Sequence, residues 1–252
     1  MNMQTVDVVI LTRNSGKTLG KCLNSVYNNV PINRLTIIDR HSADNTLKTL
    51  NEFNARYGNI RIIDSNGSRG SARQTGIENV TTEWFLFVDS DVVLCRDWFK
   101  KASEHMCHDV GAIWGVDIPG DIRNALLIKI SGWMEKRVFK IRGGCHDILI
   151  RTCTVKDIKI PPDLHTLEDA YIKEWITSKS YKIVIDSSAM CRHYKSSEEL
   201  FSRENSMSMI RELKKSKLVK ERLVYAAFFA LVWLLQGNRF RKRSNLSENS
   251  WL

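Results

Sequence analysis

Four short apolar runs constrain this chain more than any other feature. Val6–Thr12, residues 35–39, Ile60–Asp64 and Trp84–Asp89 lack the polar alternation of a half-exposed sheet, so each is expected to be a strand buried on both faces. Between them, apolar residues recur at helical spacing. Leu19, Cys22, Leu23, Val26 and Tyr27 follow the first strand; Leu47, Leu50 and Phe53 follow the second, with Asp44 as cap and Gly58 as stop. A loop containing Gly67 and Gly70 leads from the third strand into a short helix. Strand and helix in alternation predict an α/β fold, with a mostly parallel sheet flanked by helices.

In an open parallel sheet the carboxyl ends of the strands share one rim, where ligands bind. Thr12, Asp39 and Asp89 each close an apolar run, so three polar side chains are expected along that rim. Carboxylates gathered there need a cation or hydrogen-bond donors. Gly67-Ser68-Arg69-Gly70-Ser71-Ala72-Arg73 offers backbone N–H groups beside two guanidiniums, a combination suited to a diphosphate. Neither G-x-G-x-x-G after the first strand nor G-x-x-x-x-G-K-[ST] anywhere is present, so dinucleotide and P-loop readings lose their main support. Further on, an amphipathic stretch at 122–141, a strand at 148–150, a helix beginning near Asp169 and a strand at 181–185 are expected. The last of these stops before Cys191-Arg192-His193-Tyr194.

These landmarks, in this order, resemble the family 2 glycosyltransferases with the GT-A fold, from Val6 to about Tyr194. Val8-Val9-Ile10-Leu11-Thr12-Arg13-Asn14 is similar to the family's opening strand and turn, and Ile37-Ile38-Asp39 with the turn to Thr46 is similar to its acidic second turn. Gly70-Ser71-Ala72-Arg73-Gln74-Thr75-Gly76 matches the Arg-bearing helix start. Asp89-Ser90-Asp91 matches the D-x-D motif, and Glu168-Asp169 the E-D pair.

The resemblance implies an inverting glycosyltransferase that uses a nucleoside diphosphate sugar and Mn²⁺ or Mg²⁺. Thr12, Asn14 and Asp39 would then serve the nucleotide, Asp39 through its base. Arg73 would face the base or diphosphate, Asp89 the ribose and metal, and Asp91 the metal. Asp169 would be the general base and Glu168 would hold the acceptor, or the two roles are exchanged. His193 would contact the metal or diphosphate, or is a structural His. Many relatives carry a second acid after the one matching Asp39, followed by Gly. Here Arg40 and His41 stand in those places, leaving the base of the donor open.

Charge sets the remaining expectations. Of a net +10 over 252 residues, residues 192–243 hold 13 Lys/Arg against 5 Asp/Glu. Within them residues 223–235 form an uninterrupted apolar run of 13, flanked by Arg211, Lys214, Lys215, Lys217, Lys220 and Arg222 before and by Arg239, Arg241, Lys242 and Arg243 after. That is short for a bilayer span, for which about 20 residues are needed. It suits a helix lying on an anionic membrane surface, or a core helix packed on the domain. Aromatics are not interleaved with the cations, so no nucleic-acid partner is expected. The division is therefore a catalytic domain at 1–195 and a basic, apolar helical extension at 196–252, ending in a frayed tail at 242–252.

The six cysteines form no C-x-x-C pair, and together with the lack of a signal peptide they suggest reduced thiols and a cytoplasmic enzyme, peripheral on the cytosolic face of a membrane. Its hydroxyl acceptor would be a glycan or lipid-linked. Two rivals remain: a sugar-phosphate nucleotidyltransferase, for which Thr12-Arg13-Asn14-Ser15-Gly16-Lys17 would have to cradle phosphates, and a non-catalytic membrane-associated adaptor retaining the fold.

Overall fold

The computed structural model describes residues 4–119 and 145–194. In chain order the elements are β1 (Val6–Thr12), α1 (Leu19–Asn29), β2 (Ile32–Asp39), α2 (Thr46–Tyr57), β3 (Ile60–Asp64), α3 (Arg69–Glu78) and β4 (Trp84–Asp89). After them come β5 (Val92–Leu94), α4 (Trp98–Ser103), β6 (Val110–Pro119), β7 (Asp147–Arg151), α5 (Thr152–Val155), α6 (Glu168–Ser178) and β8 (Lys182–His193). All eight strands join one sheet in the order β3-β2-β1-β4-β7-β6-β8-β5.

The sheet has two characters. From β3 to β4 every pairing is parallel. Beyond β4 it is mixed: β7 runs antiparallel to both β4 and β6, β8 is parallel to β6, and β5 is antiparallel to β8.

Period-2 alternation in β1 and β4 divides the core into two layers. Val6, Val8, Ile10, Trp84, Leu86 and Val88 face α1, α2 and α4, in a cluster with Leu19, Leu23 and Leu50. Val9, Phe85 and Phe87 point the other way, toward Ala72 and Ile77 of α3 and Ile172 and Ile176 of α6. Both faces of these two strands are therefore covered, as apolar runs without alternation require. Leu23, wholly buried in the first layer, is worth about 2–5 kcal/mol on truncation to Ala. Of the four apolar runs, Ile60–Asp64 alone departs from double burial; as the edge strand β3 it leaves Ile62 exposed.

Some expected boundaries move. Strand β2 begins at Ile32, three residues before the apolar run, because Asn33 is held at Asp7 by a 2.8 Å hydrogen bond. The N-cap of α2 is Asn45 rather than Asp44; the Asp44 carboxylate instead accepts from the backbone N–H of Thr46 at 3.0 Å and of Gly16 at 2.9 Å, tying two loops together. Gly58 does close α2, in the left-handed region at φ 70°. Strand β8 runs on past 185 to His193, with a shift of register between Trp114 and Val116 of β6. At that shift Asp186 accepts from the N–H and hydroxyl of Ser188, which breaks the apolar pattern without ending the strand.

The amphipathic stretch at 122–141 and the whole extension at 196–252, including the apolar run and the tail, lie outside the described residues. Among the described residues no helix is long and apolar enough to cross a membrane.

Candidate active site

The parallel half of the sheet places its polar strand ends side by side. Thr12 pairs with Asp39 across β1 and β2, and Leu11 pairs with Asp89 across β1 and β4. Beside them opens a cleft of about 480 Å³, lined by Thr12, Asn14, Arg69, Arg73, Asp89 and Asp91 among others. That size suits a small-molecule ligand. Arg13, Lys17, Arg40 and Tyr194 complete its wall, so five Lys/Arg side chains face two carboxylates, a balance that favours an anion.

Asp39 lies beneath the floor of this cleft, 1% exposed. Its Oδ1 accepts from the hydroxyls of Thr12 at 2.6 Å and Ser42 at 2.7 Å, and its Oδ2 from the Ser42 N–H at 2.8 Å. The carboxylate thereby ties the ends of β1 and β2 together, and Arg40, exposed beside it, is the residue that reaches the cleft. Asn14 bridges the same two turns, its amide oxygen accepting from the Ala43 N–H at 2.9 Å. Both Asn14 and His41 hold left-handed backbone, at φ 50° and 47°. The glycine that many relatives carry at the position of His41 has a physical reason in that angle.

The turn after β1 offers no phosphate cradle. The N–H groups of Asn14, Ser15 and Gly16 donate to Ser42 Oγ, Thr46 Oγ1 and Asp44 Oδ2, at 2.8, 2.8 and 2.9 Å. The Gly-rich loop corrects an expectation in the same way. Gly70 N–H donates to the Leu164 carbonyl at 2.8 Å, Ser71 N–H to Ser68 Oγ at 3.1 Å and Ala72 N–H to the Ser68 carbonyl at 3.0 Å. These three amides start α3 and dock it, and the loop reaches the cleft through Gly67, Ser68, Arg69, Ala72 and Arg73. The docking is close: a Cβ on Gly70 would stand 2.9 Å from the Leu164 carbonyl oxygen.

Arg73 is the structural pivot. Its side chain is 1% exposed, and Nη2 donates to Asp89 Oδ1 at 2.6 Å while the guanidinium lies 4.7 Å from the Phe87 ring centroid. Nε and Nη1 are buried and have no hydrogen-bond partner among the described residues, an unusual state for a guanidinium. Asp89 is thus engaged by Arg73 on one oxygen, its side chain 30% exposed at the cleft.

The second acid of the D-x-D motif meets a different partner. Asp91 Oδ1 stands 3.2 Å from His193 Nε2, and His193 Nδ1 stands 3.0 Å from Asp117 Oδ2. Burial works against a charged His193, but the two carboxylates outweigh it and push its pKa up to about 9. Burial likewise disfavours charge on Asp117, yet the His193 hydrogen bond and nearby His146 hold its carboxyl below the usual range.

A divalent cation fits this corner. Two ligands at adjacent corners of an octahedron with bonds of about 2.1 Å lie about 3 Å apart, close to the Asp91–His193 separation. His193 Nε2 is buried and makes no aligned hydrogen bond among the described residues. Binding there would displace a proton from Nε2 and so depend on pH.

Glu168 and Asp169 open α6, where the helix dipole favours acids. They diverge in setting. Glu168 is buried, its Oε1 3.7 Å from Arg69 Nε, and burial pushes its pKa up to about 7. Asp169 is half-buried. The preceding Leu167 sits in the left-handed region at φ 63°, costly for a bulky residue and of the kind that clusters at working sites.

The cleft therefore gathers Thr12, Asn14, Arg73, Asp89 and Asp91, with His193 behind Asp91 and Asp39 below the floor. Sequence reasoning missed Asp117, an acid inside a strand that periodicity did not reveal, and Tyr194, which follows β8. Deeper still, His146, Asp147 and Cys191 bring ligand-type atoms within 4.8 Å of one another. Asp147 in that trio is wholly buried, beside His146 Nδ1 at 2.6 Å and accepting from Trp98 Nε1 at 2.8 Å.

Comparison with known proteins agrees with this geometry. The model of the family described as glycosyl transferase family 2 matches residues 7–152, more than half of the chain. Glycosyltransferase AglE of Haloferax volcanii is 30% identical over 101 residues, covering 38% of this chain and 33% of that protein. Poly(ribitol-phosphate) beta-N-acetylglucosaminyltransferase TarP of Staphylococcus aureus is 35% identical over 128 residues, covering 47% of this chain and 39% of that protein. The chain thus spans well under two thirds of these relatives' lengths. In fold it is similar to the mannosyltransferase PcManGT of Pyrobaculum calidifontis, solved in complex with GDP-Man and Mn²⁺, with a TM-score of 0.67 at 13% identity over 98% of this chain and 81% of that one.

Proposed function

The chain belongs to glycosyl transferase family 2, and from that premise we propose that it transfers a sugar from a nucleoside diphosphate sugar to a hydroxyl acceptor, using Mn²⁺ or Mg²⁺ and inverting the anomeric centre. The observation that carries this reading is the cleft lined by five Lys/Arg side chains and by Asp91, with His193 behind that carboxylate. Nearby, Glu168 is within reach of Arg69, a residue of the cleft wall.

Each residue has a task in this scheme. Thr12, Asn14 and Asp39 shape the nucleotide floor, with Asp39 acting from beneath it through the turn it ties. Arg73 holds Asp89 and adds its positive charge beneath the diphosphate, with the more exposed Arg69 beside it. Asp91 and His193, with Asp89 near them, hold the cation. When bound, the cation neutralises charge on the departing nucleoside diphosphate. Asp169, the more accessible of the acidic pair, takes the proton of the attacking hydroxyl, and Glu168 fixes Arg69 and the start of α6. One observation favours the reverse assignment of the acids: the Glu168 pKa near 7 suits a base at neutral pH.

The acceptor in this reading is a glycan or lipid-linked hydroxyl, and residues 211–243 bring the enzyme to an anionic cytosolic membrane face. That last element rests on the run of apolar and cationic residues alone. The nucleotidyltransferase alternative loses its foothold because the amides after β1 are spent within the protein. A thermal-shift screen of nucleoside diphosphates with and without Mn²⁺ tests the proposal. One diphosphate should raise Tm, and more so with Mn²⁺; no response to any diphosphate, with or without the ion, would reject it and favour a non-catalytic adaptor.

A further inference from the structure

We propose that Asp117 is the positioning residue of the cation corner: its carboxylate holds the His193 ring through Nδ1 so that Nε2 faces the ion beside Asp91. The inference rests on the reading of Asp91 and His193 as cation ligands and adds a residue that no motif marks.

The placement begins with sheet register. Asp117 pairs with Cys191 across β6 and β8, and Val92 pairs with His193 across β5 and β8. Cys191 and His193 are two residues apart on one strand, so both side chains leave the same face. Asp117 spans the diagonal, with Oδ2 3.0 Å from His193 Nδ1 and Oδ1 4.0 Å from Cys191 Sγ. The other ring nitrogen, Nε2, then stands 3.2 Å from Asp91 Oδ1.

An acid is a costly choice here. The rest of Val110–Pro119 is apolar or glycine, and the Asp117 side chain is only 20% exposed. Burying a carboxylate in a strand is tolerated when a specific donor repays it, and the donor present is the His193 ring.

The chemistry follows from the imidazole itself. A neutral ring has one N–H and one lone pair. With the N–H on Nδ1 and given to Asp117, the lone pair falls on Nε2, the atom beside Asp91. A carboxylate behind a ligating His fixes tautomer and ring angle and makes the lone pair more basic, and removing such a partner costs 10–100-fold in metal affinity in general. Asp117 touches neither substrate nor ion; it acts through His193.

The test is Mn²⁺ binding to the full chain, read by electron paramagnetic resonance with Mn²⁺ alone as the probe. Asp117→Ala should weaken Mn²⁺ about 10–100-fold, with Asp117→Asn in between because the amide oxygen still accepts from Nδ1–H. Nucleoside diphosphate affinity measured without metal should stay as in the wild type. Nitrogen-15 spectra of the Mg²⁺-loaded wild type should show Nδ1 protonated and Nε2 bare, a readout that needs no variant to fold.

Wild-type Mn²⁺ affinity in a folded Asp117→Ala, with His193→Ala impaired, would overturn the positioning role alone. Wild-type affinity in both variants would instead remove His193 from the cation site, and this proposal with it. A bare Nδ1 in the loaded wild type would also overturn the proposal, whatever the variants do.

Discussion

The two halves of the sheet build their parts of the cleft by different means. From β3 to β4, each strand delivers its final residue to the rim, and neighbours in the parallel register, such as Thr12 and Asp39, become neighbours in the site. Beyond β4, a corner is assembled from Asp91, Asp117 and His193, which lie far apart in the chain and meet only because β8 pairs with both β5 and β6. In the proposed reading, local order makes the nucleotide floor, and long-range pairing makes the cation corner and, with α6, the reacting side. Damage to the first half should therefore strike nucleotide binding and stability, and damage to the second should strike metal dependence and transfer.

The largest expected effect falls in the corner. Asp91→Ala removes the carboxylate nearest His193 Nε2. Metal-dependent donor binding should vanish and transfer should fall roughly 10³-fold, the scale of several kcal/mol of lost charge stabilisation. Affinity for the nucleoside diphosphate without metal should persist. Calorimetry with and without Mn²⁺ checks it, and an unchanged metal-dependent affinity would break the contrast between the halves.

Next comes the acidic pair. Asp169→Asn should leave donor binding intact and lower transfer by roughly 10²–10⁴, the usual scale for losing a general base. Glu168→Gln should cost less in transfer. Single-turnover rates for the two variants decide the assignment, since a nearly silent Asp169→Asn beside a crippled Glu168→Gln would exchange their roles.

In the parallel half the expected loss is in stability. Arg73→Met keeps bulk against Phe87 but leaves Asp89 without the guanidinium 2.6 Å away. Because Asp89 keeps a wet face, the cost should be about 2–3 kcal/mol, below that of breaking a fully buried pair. Urea unfolding measures it; a variant as stable as the wild type would mean that the pair does not anchor α3 to the sheet.

The same contrast explains what could be read from the residues alone. Trp84–Asp89 shows its length and both ends because burial on two faces leaves no polar position inside it. In Val6–Thr12 the one interior polar residue, Asp7, is buried and accepts from the Thr81 and Thr82 N–H groups. Thr12, Asp39, Asp89 and Asp91 were legible because a strand's end is a local signal. Strand β5 is three residues long and β6 mixes glycine with apolar residues, so neither announces itself, and Asp117 was hidden with β6. The polar Asp186 and Ser188 ended the apparent strand at 185, although β8 continues around a shift of register to His193. What escaped was set by pairing between distant segments, and a bend in register leaves no periodic trace. The Gly70 N–H was misassigned for a related reason, since its acceptor at Leu164 is almost a hundred residues away.

A smaller effect belongs to Glu168 in the absence of any ligand. Glu168 is raised to about 7 by burial from an ordinary value near 4.5. The folded protein then holds a proton that the unfolded chain releases, so stability is highest below about 4.5 for this group and falls as pH rises from there to about 7. Glu168→Gln should flatten that part of the profile by a few °C in Tm. Melting curves across the range test it, and an unaltered slope would mean that Glu168 is not the group that titrates.

The smallest expected effect on the cleft comes from residues 211–222, outside the described structure. If both halves of the site lie within residues 4–194, reversing charge at Lys214, Lys215, Lys217 and Lys220 to Glu should leave donor affinity unchanged. The same variant should bind liposomes rich in anionic lipid far less well, because each cation near such a surface contributes about 1 kcal/mol. Raising the salt should weaken the wild type only in part, since screening reaches the Lys and Arg contacts but not apolar residues sunk in the interface. Co-sedimentation and donor titration on one preparation read both quantities. Lost donor affinity would bring the extension into the site and end the division into floor and corner, whereas wild-type sedimentation would assign the apolar run at 223–235 to packing on the domain.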